Sequence, residues 1–126
     1  MNNKVLGNKF ENELDEILGK RMFWVHRLTA NASGQPADFI ATKNNKPYLI
    51  DAKVCSNDKF DTRRIEPNQH TAMSWWYIVN HEYPVFIFKT TKGIFVADYY
   101  TLSEKQGWVD ATQYKPLEVW LNEIEN

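Results

Sequence analysis

The chain has 126 residues, a hydrophobic fraction of 43%, an aromatic fraction of 14% and a net charge of −1. This length and composition are typical of one globular domain, which we expect to span residues 1–126, and they exclude a disordered chain or a uniformly basic nucleic-acid coat. No apolar run approaches the roughly 18 residues of a membrane span and the N-terminus lacks a signal-peptide core, so we expect a cytoplasmic protein.

The spacing of apolar residues predicts eight elements in the order α-β-β-β-α-β-β-α. They lie at about Lys4–Leu18, Phe23–Leu28, Ala37–Lys43, Pro47–Val54, Pro67–Asn80, Val85–Thr90, Gly93–Asp98 and from Pro116 to the C-terminus. Gly19 is the expected end of the first helix, because glycine readily adopts the conformation that terminates helices. The first and last helices each carry one apolar stripe, which predicts that they pack against a sheet.

Two acids stand out in the hairpin formed by the second and third strands. If the turn is centred between Asn44 and Asn45, Asp38 lies directly opposite Asp51. Residues opposed in this way have Cβ atoms about 4.5–5.5 Å apart. Asparagine tolerates the left-handed backbone conformation of a tight turn, which supports this register.

Lys53 lies on the same face of its strand as Asp51, because side chains alternate between the two faces. The residues before these two are apolar on both faces, which is typical of a sheet covered by helices on both sides. We therefore expect the acids and the lysine to lie at the rim of a buried sheet.

This trio is chemically suited to phosphodiester hydrolysis. Two carboxylates at about 5 Å repel by roughly 3 kcal/mol at an effective dielectric constant of 20, and a bound cation removes that cost. Oxygen ligands without sulfur or imidazole partners suit Mg²⁺, with Mn²⁺ as a substitute. Lys53 is placed to hold a phosphate oxygen or the attacking water. The alternative is a structural cluster of ion pairs without a metal.

At these residues the chain resembles the PD-(D/E)xK nucleases, and among them the Holliday junction resolvases of the archaeal type and of the bacterial RecU type. The signature stands here as Pro36-Ala37-Asp38, one residue longer than a strict Pro-Asp, followed by Asp51-Ala52-Lys53. The segments GNKFENEL, HRLTANASGQPADFI and IEPNQHTAM resemble further motifs of these families. The resemblance implies an α/β, restriction-endonuclease-like fold with a central mixed β-sheet flanked by helices.

The resemblance also assigns roles to single residues. It implies a metal site whose ligands are Asp38, Asp51, the backbone carbonyl of Ala52, Glu11 and Gln69. Ser33 matches a loop serine that approaches DNA, whereas the threonine that RecU-type enzymes carry two residues before the metal aspartate is Pro36 here. The alternative reading of Glu11 is an acid on an exposed helix face, and that of Gln69 is a helix cap.

A basic segment follows the Asp-x-Lys strand. Residues 41–65 contain six basic residues and three acids, whereas residues 95–126 contain six acids and two lysines. We expect Lys59, Arg63 and Arg64 to contact the phosphate backbone of DNA, the alternative being solvated surface charge.

The middle helix carries three consecutive aromatic residues. Trp75, Trp76 and Tyr77 cannot all face inward, so at least one is available for a dimer interface or for DNA stacking, while the core is the default place for two of them. Cys55 is the single cysteine, and we expect it to be a buried thiol rather than a nucleophile.

These features together predict a Mg²⁺-dependent endodeoxyribonuclease, with the four-way DNA junction as its leading substrate. Because resolvases cut two strands symmetrically, a homodimer is implied. Two alternatives remain open: a flap or nicking nuclease of the virus-type replication-repair family, and a catalytically silent DNA-binding module that keeps the nuclease fold.

Overall fold

The structure is a computed structural model that describes residues 3–28 and 35–126. Its helices and strands are α1 (Asn3–Lys20), β1 (Trp24–Arg27), β2 (Phe39–Lys43), β3 (Lys46–Val54), β4 (Lys59–Asp61), α2 (Pro67–Asn80), β5 (Val85–Thr90), β6 (Gly93–Asp98), α3 (Tyr99–Ser103), β7 (Trp108–Asp110), β8 (Lys115–Pro116) and α4 (Leu117–Glu125). Short 3₁₀ turns lie at Thr62–Arg64 and Ala111–Gln113. Of the described helices, none is both long and apolar enough to cross a membrane.

The main sheet has the strand order β1-β2-β3-β5-β6-β8, and β4 and β7 form a second, two-stranded sheet. Strands β3 and β5 are parallel, while the other neighbouring pairs are antiparallel. The chain crosses from β3 to β5 through β4 and α2, which places α2 on one face of the sheet. The expected mixed sheet flanked by helices is confirmed.

Both faces of the main sheet are buried, as expected. On one face, Phe10 of α1 and Leu121 of α4 pack against a cluster that includes Phe39 and Ile50. On the other face, Met73 of α2 belongs to a cluster with Leu49, Phe60, Phe86 and Phe88. Position 49 faces α2 and position 50 faces α1, so Asp51 and Lys53 continue the α2 face while Ala52 packs toward α1.

The hairpin between β2 and β3 has the predicted register, with Phe39 opposite Ile50 and Ile40 opposite Leu49. Asn44 and Asn45 both have positive φ values, 54° and 64°, as a two-residue turn of this hand requires. The ladder of paired residues ends at Phe39 rather than continuing to Ala37, so the predicted start of this strand is two residues too early.

Helix α1 continues through Gly19 to Lys20, so the expected stop at Gly19 is wrong. The chain reverses at Met22, whose φ is 68°, and the N–H groups of Met22 and Phe23 donate to the carbonyls of Gly19 and Leu18. The residue that needs the left-handed conformation therefore lies three positions after the glycine.

Four short elements are not predicted by the apolar spacing of the sequence, namely β4, α3, β7 and β8. The segment between the third predicted strand and Pro67, for which no helix or strand was predicted, contains β4 and a 3₁₀ turn. A strand of three residues is too short to display an alternating pattern. Strand β4 forms because it pairs with β7, a partner about fifty residues later, and because Phe60 is buried in the core.

Candidate active site

A cleft of about 710 Å³ opens where β2 begins and β3 approaches its end. Its walls come from α1, β3, the 3₁₀ turn after β4 and the start of α2. The residues singled out in the sequence that line it are Glu11, Asp38, Asp51, Lys53, Arg63, Arg64 and Gln69. Side chains from distant parts of the chain therefore meet in one cleft.

Asp38 is held at the start of β2 by three hydrogen bonds. Its backbone N–H donates to the carbonyl of Ile50 at 3.0 Å, and its carbonyl accepts from the N–H of Leu28 at 2.8 Å. The side-chain Oδ2 accepts from the backbone N–H of Ala52 at 2.8 Å. The carboxylate is thus oriented by the backbone of β3. Asp38 itself is not one of the paired residues of the β2–β3 ladder.

Asp51 is the buried acid of the site, with 3% of its surface exposed. Its Oδ2 forms an ion pair with Nζ of Lys53 at 3.1 Å and has no other donor partner among the described residues. Burial raises the pKa of Asp51 to about 7; Lys53 acts in the opposite direction, and the neighbouring Asp38 carboxylate adds to the rise. The protein alone therefore compensates this negative charge incompletely.

This arrangement fits a hard divalent cation. Within the described residues, no three side chains of His, Cys, Asp and Glu come together as a ligand set, so the site is a pair of aspartates and not a carboxylate cage. Mg²⁺ is commonly bound through one or two carboxylates and keeps several waters. The buried Oδ2 of Asp51, which has only Lys53 as a partner among the described residues, supplies one ligand position, and Asp38 is held beside it.

Glu11 projects from α1 toward the cleft. Its Oε1 lies 3.5 Å from Nη2 of Arg27. The pKa of Glu11 is raised above its usual value, mainly by burial and also by the nearby Asp38. Arg27 and Lys53 oppose this rise. The adjacent acid Glu13 pairs with Lys89 at 2.8 Å instead, so the choice of Glu11 among the acids of this helix agrees with the geometry. Its role as a metal ligand stays a prediction.

Gln69 is buried in the first turn of α2 and lines the cleft. Its Oε1 accepts from the backbone N–H of Glu66 at 3.2 Å, and its Nε2 donates to the carbonyl of Pro36 at 3.3 Å. The helix-cap reading is therefore observed, and the same amide ties α2 to the segment before Asp38. A metal-binding role for Gln69 stays a prediction, as does one for the carbonyl of Ala52.

The basic residues differ in their surroundings. Arg63 is engaged by Asp61 through two contacts of 2.9 Å. Arg64 lies over the ring of Phe60 at 5.9 Å and forms no ion pair within the described residues. Lys59 lies on β4 opposite Asp110 and is not among the residues that line the cleft. Ser33 falls outside the described residues.

Four residues that line the cleft were not singled out in the sequence, namely Asn8, Leu28, Gln35 and Glu66. Asn8 precedes Glu11 by three residues, so helical spacing could have placed it on the same face. Glu66 is the N-cap of α2, and its side chain completes a capping box with Gln69. The pattern of an acid three residues before a glutamine could have revealed this cap.

The cysteine and two of the three consecutive aromatic residues lie in structural positions. Cys55 is buried, and burial raises the pKa of its thiol to about 11, so it does not supply a thiolate at neutral pH. Trp76 packs against the core and Tyr77 stacks on Tyr83 with ring centroids 3.9 Å apart. Trp75 is 64% exposed, so it is the outward-facing ring.

The mixed sheet and the Asp38, Asp51 and Lys53 constellation define the class of the protein, the restriction-endonuclease-like PD-(D/E)xK nucleases. Residues 2–101 match the family model described as archaeal Holliday junction resolvase (Hjc). The chain belongs to this family, which confirms the resemblance to the archaeal type seen in the sequence. Residues 102–126 lie beyond the match.

A solved structure shows the same fold. The Hjc protein of Archaeoglobus fulgidus, a Holliday junction resolvase from an archaeal hyperthermophile, superposes with a TM-score of 0.70. The superposition covers 91% of this chain and 98% of that one, at 14% sequence identity. At this identity the likeness establishes the fold. No curated protein matches the chain.

Proposed function

We propose that this protein is a divalent-metal-dependent resolvase that hydrolyses phosphodiester bonds at four-way DNA junctions, with residues 1–126 forming one nuclease domain. Membership of the archaeal resolvase family supports the substrate. The observation that carries the chemistry is the buried Asp51, whose Oδ2 has only Lys53 as a partner among the described residues and which lies beside Asp38 in an open cleft.

Mg²⁺ is the proposed cofactor, and Mn²⁺ is expected to substitute. Asp38, Asp51 and the carbonyl of Ala52 would hold the ion, and Glu11 and Gln69 would complete the shell through coordinated water, together with substrate phosphate. When bound, the ion neutralises charge on the phosphate and lowers the pKa of a coordinated water. The hydrogen bond from Ala52 keeps Asp38 in one orientation, so little reorganisation is needed before reaction.

Lys53 is the proposed catalytic cation. Its side chain is partly exposed at the cleft, while the Asp51 side chain that it contacts is almost fully buried. An ammonium group there can donate to a phosphate oxygen, stabilising the charge that develops in the pentacovalent transition state, or can position the attacking water. Because the pair shares one face of β3, the donor and the metal-binding carboxylate approach the phosphate from the same side.

The cleft wall offers contacts for the DNA backbone. Arg64 has no carboxylate partner within the described residues, so its charge is free to meet a phosphate. Arg63 would have to exchange Asp61 for a phosphate oxygen. Lys59, which lies outside the cleft, and Ser33 are proposed as further DNA contacts, since phosphate contacts position a protein on DNA without reading its sequence.

A homodimer is proposed because junction resolution requires two cuts related by symmetry. Helix α2 presents Trp75, Ile78 and Val79 on its outer surface, with 64%, 57% and 58% of each residue exposed. Residues three and four apart lie side by side on a helix, so the three form one apolar surface. Exposed apolar surfaces of this kind mark interaction sites, and we assign this one to a second copy of the chain.

The test is cleavage of labelled four-way junction, flap and linear duplex, each with Mg²⁺ and with EDTA. Wild type is compared with Asp51→Asn and with Asp110→Asn, an exposed carboxylate in a 3₁₀ cap that asparagine can replace. We expect paired symmetric nicks in the junction, lost in EDTA and in Asp51→Asn but kept in Asp110→Asn. Metal-dependent cutting of flaps instead of junctions would assign another substrate, and binding without cutting would contradict the catalytic proposal.

A further inference from the structure

A second cavity of about 280 Å³ lies on the α1 side of the candidate active site. It shares four lining residues with the main cleft, namely Glu11, Asp38, Lys53 and Arg64. Its remaining polar residues are Asn3 and Ser56, and its helical wall includes Gly7. The two cavities therefore adjoin each other at the proposed catalytic residues.

Gly7 is not explained by the fold. It lies inside α1, where glycine is less favourable than alanine because its backbone loses more freedom on folding. It is not a residue with positive φ, and a Cβ atom built on it would meet no described atom within 4 Å. The described part of the protein has room for a side chain at this position and gains nothing from its absence.

Gly7 borders the second cavity, next to the proposed catalytic residues. Gly7 precedes Glu11 by four residues, so a side chain at position 7 would project along the same face of α1, into the second cavity. Glycine serves at such places when a ligand must approach the backbone closely, as at phosphate-binding turns.

We propose, building on the proposed nuclease function, that the second cavity is the subsite for the sugar–phosphate unit next to the scissile phosphate. The bare backbone of α1 at Gly7 is the wall against which the DNA strand lies. Lys53 and Arg64 supply positive charge between the two cavities, and Asn3 and Ser56 supply neutral hydrogen-bonding groups. Its volume is below the roughly 300–1,000 Å³ of pockets that enclose whole small molecules, which suits a backbone unit.

The chain offers a matched control in Gly19. This residue also lies in α1, lacks positive φ and has no described atom within 4 Å of a built Cβ. It is about 18 Å farther along the helix axis, at 1.5 Å per residue. Replacement of either glycine by alanine or glutamine should raise the melting temperature, because both substitutions favour the helix.

The experiment measures junction binding in EDTA and single-turnover cleavage in Mg²⁺ for Gly7→Ala, Gly7→Gln, Gly19→Ala and Gly19→Gln. We expect the junction affinity or the cleavage rate of Gly7→Gln to be at least about tenfold lower than that of wild type. Gly7→Ala should show a smaller decrease, and both Gly19 variants should match wild type. If Gly7→Gln does not fold, Gly7→Ala decides alone.

The outcomes separate the two proposals. Wild-type activity on the junction together with unchanged activity of the folded Gly7 variants would overturn the subsite and leave the nuclease intact. A wild type that neither binds nor cleaves DNA would overturn the proposed function itself. Equal losses in the Gly7 and Gly19 variants would trace the effect to helix α1 as a whole and would also overturn the subsite.

Discussion

Asp38 and Ala52 are joined by a hydrogen bond that crosses from the start of β2 to the middle of β3, with 2.8 Å between Oδ2 and the backbone nitrogen. This bond gives the first carboxylate of the site a fixed direction without placing it in the strand ladder. The same orientation holds the Asp38 carboxylate, a second negative charge, beside the buried Asp51.

Without a divalent cation, Asp51 should make folding less favourable as pH rises. Its pKa is raised from about 4 in the unfolded chain to about 7 in the folded protein, so the folded state binds the proton more tightly. The stabilisation is complete below about pH 4 and is lost as pH rises through 7, a change of up to about 4 kcal/mol. Unfolding of wild type and Asp51→Asn in EDTA from pH 5 to 8 measures it.

We expect Asp51→Asn to be the more stable protein at pH 8 and the difference to shrink toward pH 5. Addition of Mg²⁺ at pH 8 should raise the melting temperature of wild type but not of the variant, since only wild type has the Asp51 carboxylate to bind the ion. Parallel pH curves for the two proteins would contradict the burial argument.

Lys53→Gln should abolish most cleavage while leaving junction binding largely intact. The loss of one preorganised charge at a reaction site costs about 10²–10³ in rate. Because Lys53 lowers the pKa of Asp51, its removal should also move the pH dependence of any residual cleavage to higher pH. Lys89→Gln is the control and should cleave normally. It removes a lysine of the neighbouring strand β5, which pairs with Glu13 of α1.

Arg64→Ala should weaken junction binding and reduce the salt dependence of binding. A lysine or arginine that meets one phosphate contributes about one unit to the slope of log affinity against log salt concentration. The effect of Arg63→Ala should be smaller, because Arg63 must first give up Asp61. Lys46→Ala, on the hairpin away from the cleft, serves as the control in titrations at several salt concentrations. An unchanged slope for Arg64→Ala would exclude it as a phosphate contact.

Ile78→Glu should convert the proposed dimer into a monomer. The substitution places a charge in the centre of the apolar surface formed with Trp75 and Val79, and burial of an unpaired charge is strongly unfavourable. Val119→Glu changes an exposed valine of α4 in the same way and should leave the dimer intact. Light scattering after size exclusion reports the mass of each protein, and a wild-type monomer at high concentration would refute the interface.

Arg21→Ala should destabilise the docking of α4. Arg21 contacts Glu125 at 2.9 Å, Glu118 at 3.0 Å and Asn122 at 2.8 Å. Hydrogen bonds from Arg21 and Lys43 lower the pKa of Glu125 to about 2, so their stabilising effect is present above the ordinary pKa of a glutamate and is lost as pH falls toward 2.

The melting temperature of Arg21→Ala should therefore lie below that of wild type at pH 7, and the gap should narrow on acidification. Lys20→Ala removes a neighbouring exposed lysine that pairs with Glu16 within its own helix, and it should have little effect. A gap that does not depend on pH would mean that Arg21 acts through packing alone.

Local patterns carried much of the fold. The bounds predicted for α2, β5 and β6 are those of the structure. These elements have strong local signals, because Pro67 starts a helix and the apolar residues of β5 and β6 flank a Thr-Lys-Gly turn. The β4–β7 sheet had no such signal, since each strand has only three residues and depends on a distant partner.

The site divides in the same way. The Asn44-Asn45 turn and the alternation of side chains were enough to place Asp38 near Asp51 and to put Lys53 on the same face, because register and pleat are local properties. The ladder stops at Phe39 and does not reach Asp38, which the turn could not reveal, since the hydrogen bond to Ala52 competes with strand pairing.

The sequence by itself thus determined the hairpin, the spacing of the motif and the class of chemistry, because these depend on residues close together in the chain. Only the tertiary structure decided how deeply Asp51 is buried, that Gln69 caps α2 while facing the cleft, and that Gly7 borders a second cavity. Each of these depends on packing between elements far apart in sequence, and burial, pKa and cavity shape exist only once that packing has formed.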